Sequence, residues 1–462
     1  MTSDPSAAKK LEEPQGEPIT AYYPYLPNTI VLIDSSWSID PSIRKGSFEI
    51  GVDESSSTGP LFAILAVKDT SGNVLVGAEP ELASLYPRRL QGKWLRCPEA
   101  IRENDPNRFL AQIVAYDSSF KTPRFQKVSG GKIDITGVVF PEEVAWRQNK
   151  DGWIFIIRIE KWKIQKIKRQ DVRRKHAEPY FVRAGRSGRS DLAVRIPELS
   201  NLHEKKIAVF GLGCLGAPSV LELARCGVGE LRIVDFDFVE PGSTVRWPFG
   251  LKTFGKQKTD VIENFINEHY PFTKVVPWTH RIGAVAFPGR KYSDLEVLDS
   301  VLDGVDIVYD ASAEPGLQYL LSDLAAERCI PYLAISTTHG AWGGIVARIR
   351  PDQTEGCWKC FLQNLKDDSF PTPMFDSAGE VQPVGCADPT FTGTGFDSSV
   401  IALGGVRLAV STLLAGRDKG YPDFDWDVAT IDLRDQSGKP IASSWKTFAL
   451  KKHPSCSCSK NF

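Results

Sequence analysis

The chain lacks several features that would decide a function at once. It has no charge surplus: 56 Lys and Arg against 57 Asp and Glu leave a formal net charge of -1. That balance gives no electrostatic reason to make nucleic acid a main ligand. It has no long hydrophobic run, since stretches such as Ile330 to Ile335 are strand-sized and well short of the ~20 apolar residues a bilayer span needs, so no membrane partner is expected. No repeat is evident in the first part of the chain. The opening residues, MTSDPSAAKKLEEPQGEP, contain no apolar core of an export signal, and residues 1–20 read as a disordered tail. Nine cysteines without such a signal favour a reducing, cytoplasmic setting, where thiols serve metals or catalysis more often than disulfides.

A length of 462 residues exceeds what one core holds, about 250–300 residues, so two or three domains are expected. Over residues 21–163, short β-type runs (TIVLID, FAILAV, RFLAQIVAY, GWIFIIRIEKW) separated by Gly, Pro and Ser predict a mainly antiparallel α+β domain. Its Trp146, Trp153 and Trp162 read as core or interface aromatics. The basic stretch KWKIQKIKRQDVRRKH, Lys161 to His176, runs into an expected linker over residues 164–199 and reads as a solvated charged face. From Ser200 strand and helix patterns alternate (KKIAVFG, ELRIVDFD, KTDVIENFINEHY, VDIVYD, LQYLLSDLAAERC). This predicts an α/β, doubly wound, mostly parallel Rossmann-like sheet over residues 200–462. A long segment, expected as a crossover loop over residues 363–390, interrupts that rhythm, and loops of such length are usually functional.

Gly211, Gly213 and Gly216 follow a strand and open a helix, where backbone N–H groups can face phosphate oxygens without Cβ obstruction. Asp235 ends the next strand, where a carboxylate can take the hydroxyls of a ribose. These residues fit NAD as well as ATP. Asp237, Arg246 and Lys258 add a second carboxylate and two cations, which hydride transfer does not require. Cleavage of a triphosphate does, because charge must be neutralised while a carboxylate attacks the α-phosphate.

Taken together, GLGCLG, VDFDFVEPGSTVRW and GKQK resemble the ThiF, MoeB and ubiquitin-activating superfamily, over about Arg186 to Phe462. The resemblance implies ATP and magnesium as cofactors, Asp235 on the ribose, Arg246 and Lys258 on the phosphates, and Arg195 or Arg189 reaching the triphosphate of a second subunit in a homodimer. Ser243 stands where the family has Asn. Ala313 stands where it has a second Asp that helps hold magnesium, so Asp310 and Glu314 are expected to take over the metal. Cys357, Cys360, Cys456 and Cys458 form two thiolate pairs suited to a tetrahedral zinc ion, and they match the family's late cysteine pairs in order.

Cys386, at the end of the long loop, is followed by Asp388, Pro389 and Thr390, polar surroundings that can support a thiolate. By resemblance it would capture the acyl-adenylate as a thioester. Cys214, Cys226 and Cys329 read as small hydrophobes, and His339 as a loop residue or part of a carboxylate-tail channel. Cys97 is the first domain's sole cysteine. The domain is expected to recruit the carrier or its partner, or else to be a degenerate conjugating-enzyme-like fold. The expected activity is ATP-dependent adenylation of a ubiquitin-like or sulfur-carrier protein, thioester formation on Cys386 and transfer onward, with a conjugating enzyme as a further partner. The alternatives are adenylation without thioester, an NAD(P)-dependent oxidoreductase, and a catalytically dead scaffold.

Overall fold

The computed structural model describes residues 18–55, 59–145, 148–167, 170–284, 291–382 and 390–458. They form two compact units divided after Arg195.

The first unit has strands β1 (Tyr25–Ile33), β2 (Lys45–Asp53), β3 (Leu61–Lys68), β4 (Val74–Gly77), β5 (Arg88–Arg96), β6 (Gln126–Val128), β7 (Gly131–Ala145), β8 (Gln148–Ile167) and β9 (Gln170–Arg186), with helices α1 (Pro80–Ser84), α2 (Pro106–Tyr116) and α3 (Arg189–Ala193). The strands pair in the order β1-β9-β8-β7-β5-β2-β3, and β1 also pairs with β3, so the sheet closes on itself. Most of the pairs are antiparallel. Alternation along the strands sends Phe48, Ile50, Phe62, Trp94, Trp153 and Phe155 into one shared core. RFLAQIVAY, expected as a β-type run, is instead helix α2: its buried Phe109 and Ile113 are four residues apart, and Asp105 caps it, accepting from the N–H groups of Asn107 and Arg108. It lays Phe109 and Ile113 over a second cluster with Tyr23 and Phe181. Cys97 belongs to that cluster; it is 1% exposed, and burial pushes its thiol up to about 11. That makes it a packing residue rather than an acceptor thiol.

Residues 164–199 are not a linker. Residues 164–167 belong to β8 and 170–186 to β9, and the unit continues through α3. Trp162, expected to be core or interface, is 57% exposed there, whereas Trp153 is buried. Trp146 lies outside the described residues.

The second unit contains β10 (Lys206–Phe210), β11 (Glu230–Asp235), β12 (Lys274–Thr279), β13 (Ile307–Asp310), β14 (Tyr332–Thr337), β15 (Gly343–Ile349), β16 (Glu380–Val381), β17 (Thr390–Phe391), β18 (Val428–Arg434) and β19 (Pro440–Phe448). Its helices are α4 (Gly216–Arg225), α5 (Lys258–His269), α6 (Asp294–Leu302), α7 (Pro315–Glu327), α8 (Trp358–Lys366) and α9 (Gly395–Leu414). The main sheet runs β12-β11-β10-β13-β14-β15-β18-β19, parallel from β12 to β14 and antiparallel beyond. This is an α/β unit of Rossmann type. IAVF in β10 is apolar on both faces because both are covered, by a core that includes α4, α5 and α9 and by another that includes α6, α7 and α8.

The chain leaves β10 toward β11 on one side and later returns to β13 on the other. Strand order therefore reverses between β10 and β13, and their carboxyl ends open a crevice there. Helix α9 is long and apolar enough to cross a membrane, which the strand-sized runs did not suggest. Its apolar window is 67% buried, and Ile401, Leu408 and Leu413 pack into the core beside β14 and β15.

Candidate active site

The loop from β10 to α4 is built by its glycines. Gly211 has φ +86, and a Cβ there would lie 2.8 Å from the backbone of Ala311 and Ser312. At Gly216 a Cβ would sit 1.8 Å from the Gly211 carbonyl oxygen, so only glycine lets the helix start so close to the strand. Gly213 differs, because nothing lies within 4 Å of where its side chain would be. Its missing Cβ leaves open space at the amino end of α4, where N–H groups attract anions. Trp247 Nε1 donates to the Leu212 carbonyl at 2.7 Å and holds the loop, a role nothing in the sequence pattern pointed to.

Asp235 faces this loop. Its carboxylate accepts from Leu212 N–H at 2.5 Å and from Asp237 N–H at 2.7 Å. It is 9% exposed, and burial pushes its carboxyl above the usual range, while the Lys258 ammonium and the two N–H groups pull the other way. Asp237 and Lys258 are 21 residues apart, yet a bridge between Phe238 and Gln257 and a Lys258 N–H to Asp237 carbonyl bond of 3.0 Å join them. Lys258 Nζ then lies 2.8 Å from Asp237 Oδ2, with the lysine 8% exposed. Beside them a cavity of about 560 Å³ opens against Phe236, Trp278, Thr279, Arg281 and Tyr292.

Arg246 is placed differently from expectation. Its guanidinium donates to the Phe391 carbonyl and the Thr390 hydroxyl and lies 4.1 Å from the centre of the Phe391 ring. It therefore braces β17, at the end of the long crossover segment. Cys386 lies outside the described residues.

Asp310 is also placed differently from expectation. A carboxylate closing a strand at the switch point suggests a metal ligand, but this one is wholly buried. One oxygen accepts from the Ser312 N–H at 2.9 Å and hydroxyl at 2.6 Å, the other from the Tyr332 hydroxyl at 2.8 Å. Glu314 is exposed at the start of α7. One carboxylate is thus buried and hydrogen-bonded and the other exposed, an arrangement unlike the paired ligands expected for magnesium. Ala313 between them has φ +55. Ser243 donates to the Glu240 carbonyl, His339 and Arg195 are exposed, and Arg189 pairs with Glu79 at 2.7 Å inside the first unit. Cys214 and Cys226 pack against the core, whereas Cys329, at φ +54, is exposed rather than a packing residue.

Away from the crevice, the Sγ atoms of Cys357, Cys360, Cys456 and Cys458 all lie within 4.8 Å of one another. Three of their separations are 3.7, 3.7 and 3.6 Å. Four sulfurs at about 2.3 Å around a tetrahedral ion are roughly 3.8 Å apart, so the cluster fits zinc. His453, three residues before Cys456, bonds Asp367 Oδ2 at 2.8 Å through Nε2 and accepts from Ser455 N–H at 3.1 Å. This supporting pair, joining the tail to the end of α8, was not anticipated from sequence.

The profile of the ThiF family matches residues 189–458. "Uncharacterized protein y4qC" of Sinorhizobium fredii is 32% identical over 97% of this chain and 77% of its own length. "Adenylyltransferase and sulfurtransferase UBA4" of Yarrowia lipolytica is 30% identical over 33% of this chain and 36% of its own. The structure of E. coli MccB with MccA-N7isoASN superposes with a TM-score of 0.41 and 16% identity, covering 56% of this chain and 68% of that one.

Proposed function

Because the chain belongs to the ThiF family, we propose that its second unit adenylates the C-terminal carboxylate of a ubiquitin-like or sulfur-carrier protein. The observation that best supports this reading is the buried Lys258 paired with the half-exposed Asp237 beside the glycine loop and Asp235. A site that only binds a nucleotide needs the loop and Asp235. A buried ammonium aimed at the same crevice gives charge stabilisation for a leaving pyrophosphate.

In this mechanism ATP lies at the carboxyl ends of β10 and β11. The base occupies the cavity beside Phe236, the ribose hydroxyls meet Asp235, and the phosphates cross the open space at Gly213. The carrier carboxylate attacks the α-phosphate, forming an acyl–phosphate bond and expelling pyrophosphate toward Lys258. Fixed N–H groups and a fixed ammonium act without reorganising during the step. Cys386 then attacks the acyl carbon as thiolate, forms a thioester and releases AMP, and an acceptor thiol takes the acyl group onward. Arg246 contributes by holding Thr390 and Phe391, four and five residues beyond that cysteine. Zinc, held by the four cysteines, would tie the tail to the unit and supply no chemistry to the reaction.

The first unit is assigned the recruitment of carrier or partner, since Cys97 is buried and protonated. A homodimer in the cytoplasm, with Arg195 reaching the second copy's triphosphate, completes the reading. The test is exchange of labelled pyrophosphate into ATP by the full chain, with and without a small carrier protein ending in Gly-Gly. Carrier-dependent exchange is expected. Tight ATP binding with no exchange for any carrier would leave the dead-scaffold alternative standing instead.

A further inference from the structure

The outer part of the β8–β9 hairpin is an arm with its own chemistry. Strand β8 pairs with β7 only as far as Ile159, and β9 pairs with β1 only from Phe181. Among the described residues, Glu160–Ile167 and Gln170–Ala177 pair with nothing but each other. Eight residue pairs at about 3.3 Å each make a two-stranded ribbon roughly 26 Å long.

Its charge is segregated from the rest of the molecule. Lys161 to His176 holds eight Lys or Arg against one Asp, a net +7, so the remaining sequence carries -8. The whole-chain sum of -1 conceals this. At the base, Lys161 pairs with Glu178 at 2.6 Å and Lys175 with Glu160 at 2.9 Å. Farther out, Arg173 and Arg174 are exposed, and no carboxylate pairs with them or with Lys163 among the described residues. The register sets Lys163 directly opposite Arg174, a like-charge pairing that weakens a ribbon. Charged side chains do protect strand edges, but edge protection alone does not call for like charges set directly opposite each other.

The positive charge also lies on both faces. Lys161, Lys163 and Arg174 share one face. Arg173 and Lys175 share the other with Trp162, whose exposed ring they approach to 5.9 and 5.1 Å. A flat acidic patch on a protein, or an anionic membrane surface, would meet one face and leave the other uncompensated. The major groove of B-form DNA, about 12 Å wide, admits a two-stranded ribbon and presents phosphates on both walls. The major groove of duplex RNA is too narrow.

We infer that this arm binds double-stranded DNA through its phosphates, with Lys161, Lys163, Arg173, Arg174 and Lys175 as contacts and no base-specific reading. This stands apart from the adenylation chemistry, and either can fail without the other. The test is the anisotropy of a fluorescein-labelled B-DNA duplex titrated with the full chain over a salt series, alongside duplex RNA, polyglutamate and vesicles containing phosphatidylserine. DNA binding that weakens steeply with salt is expected. Lys163→Gln, Arg173→Gln and Arg174→Gln together should weaken it about tenfold or more and flatten the log–log salt slope by up to about 3. An unchanged thermal melt shows that the triple variant is folded. The inference is overturned if DNA does not bind, if polyglutamate, vesicles or duplex RNA bind as tightly, or if the folded triple variant binds like the parent.

Discussion

Lys258 Nζ and Asp237 Oδ2 meet at 2.8 Å across 21 residues of sequence, and the lysine is almost wholly enclosed. Asp237 is half exposed at the rim, so the pair presents a positive group from a buried position and its counter-charge from an accessible one. Removing the ammonium, as Lys258→Met, should lower carrier-dependent pyrophosphate exchange by about 10²–10³-fold, the usual loss for one positioned charge donor. Lys258→Arg should recover part of it. Equal exchange by Lys258→Met and the parent would remove Lys258 from the chemistry.

Cys386→Ala separates the two steps of the proposed reaction. Adenylation should continue at the parental rate, while a carrier adduct that reductant releases should vanish on non-reducing gels. If the adduct persists in the variant, the thioester is on another residue. If the parent never forms one, the chain adenylates without capture.

The four-cysteine cluster should hold one zinc ion per chain by elemental analysis. Cys360→Ser should abolish it and lower the melting temperature by on the order of 10 °C, reflecting a few kcal/mol of lost metal-linked stability. A metal-free parent with the same melting temperature would refute the metal assignment.

Asp310 gives a pH prediction with a definite sign. Burial raises its carboxyl above the ordinary 3.8, against the pull of Ser312 and Tyr332. Between 3.8 and the raised folded value, the folded chain keeps a proton that the unfolded chain has released. Stability contributed by this group therefore falls as pH rises through that window, by at most about 1.4 kcal/mol per pH unit. Asp310→Asn should remove this share of the slope in urea midpoints measured across the acid range, leaving the same-signed share from Asp235. Parallel profiles for variant and parent would contradict the assignment.

What the sequence revealed, and what it hid, follows from the range of the interactions. The glycine loop was legible because its three residues act within six positions, and the cysteine pairs because thiols two or three apart carry their own geometry. Asp235 was legible as the end of a strand next to the glycine loop. The burial of Asp310 was not, because the hydroxyl that closes it belongs to Tyr332 on the neighbouring strand. Closure of the first sheet depends on β1 meeting β3, a pairing no local pattern announces. The outer hairpin looked like a linker because its strands face no core, so the apolar alternation that marks a strand is missing where each strand has only the other for support.

Ala313 holds a left-handed backbone at φ +55, in the loop between β13 and α7. Aspartate is among the few side chains besides glycine that settle there readily, whereas alanine does not. The main chain at this place is therefore already shaped for an aspartate, and Ala313→Asp would enter the loop without rebuilding it.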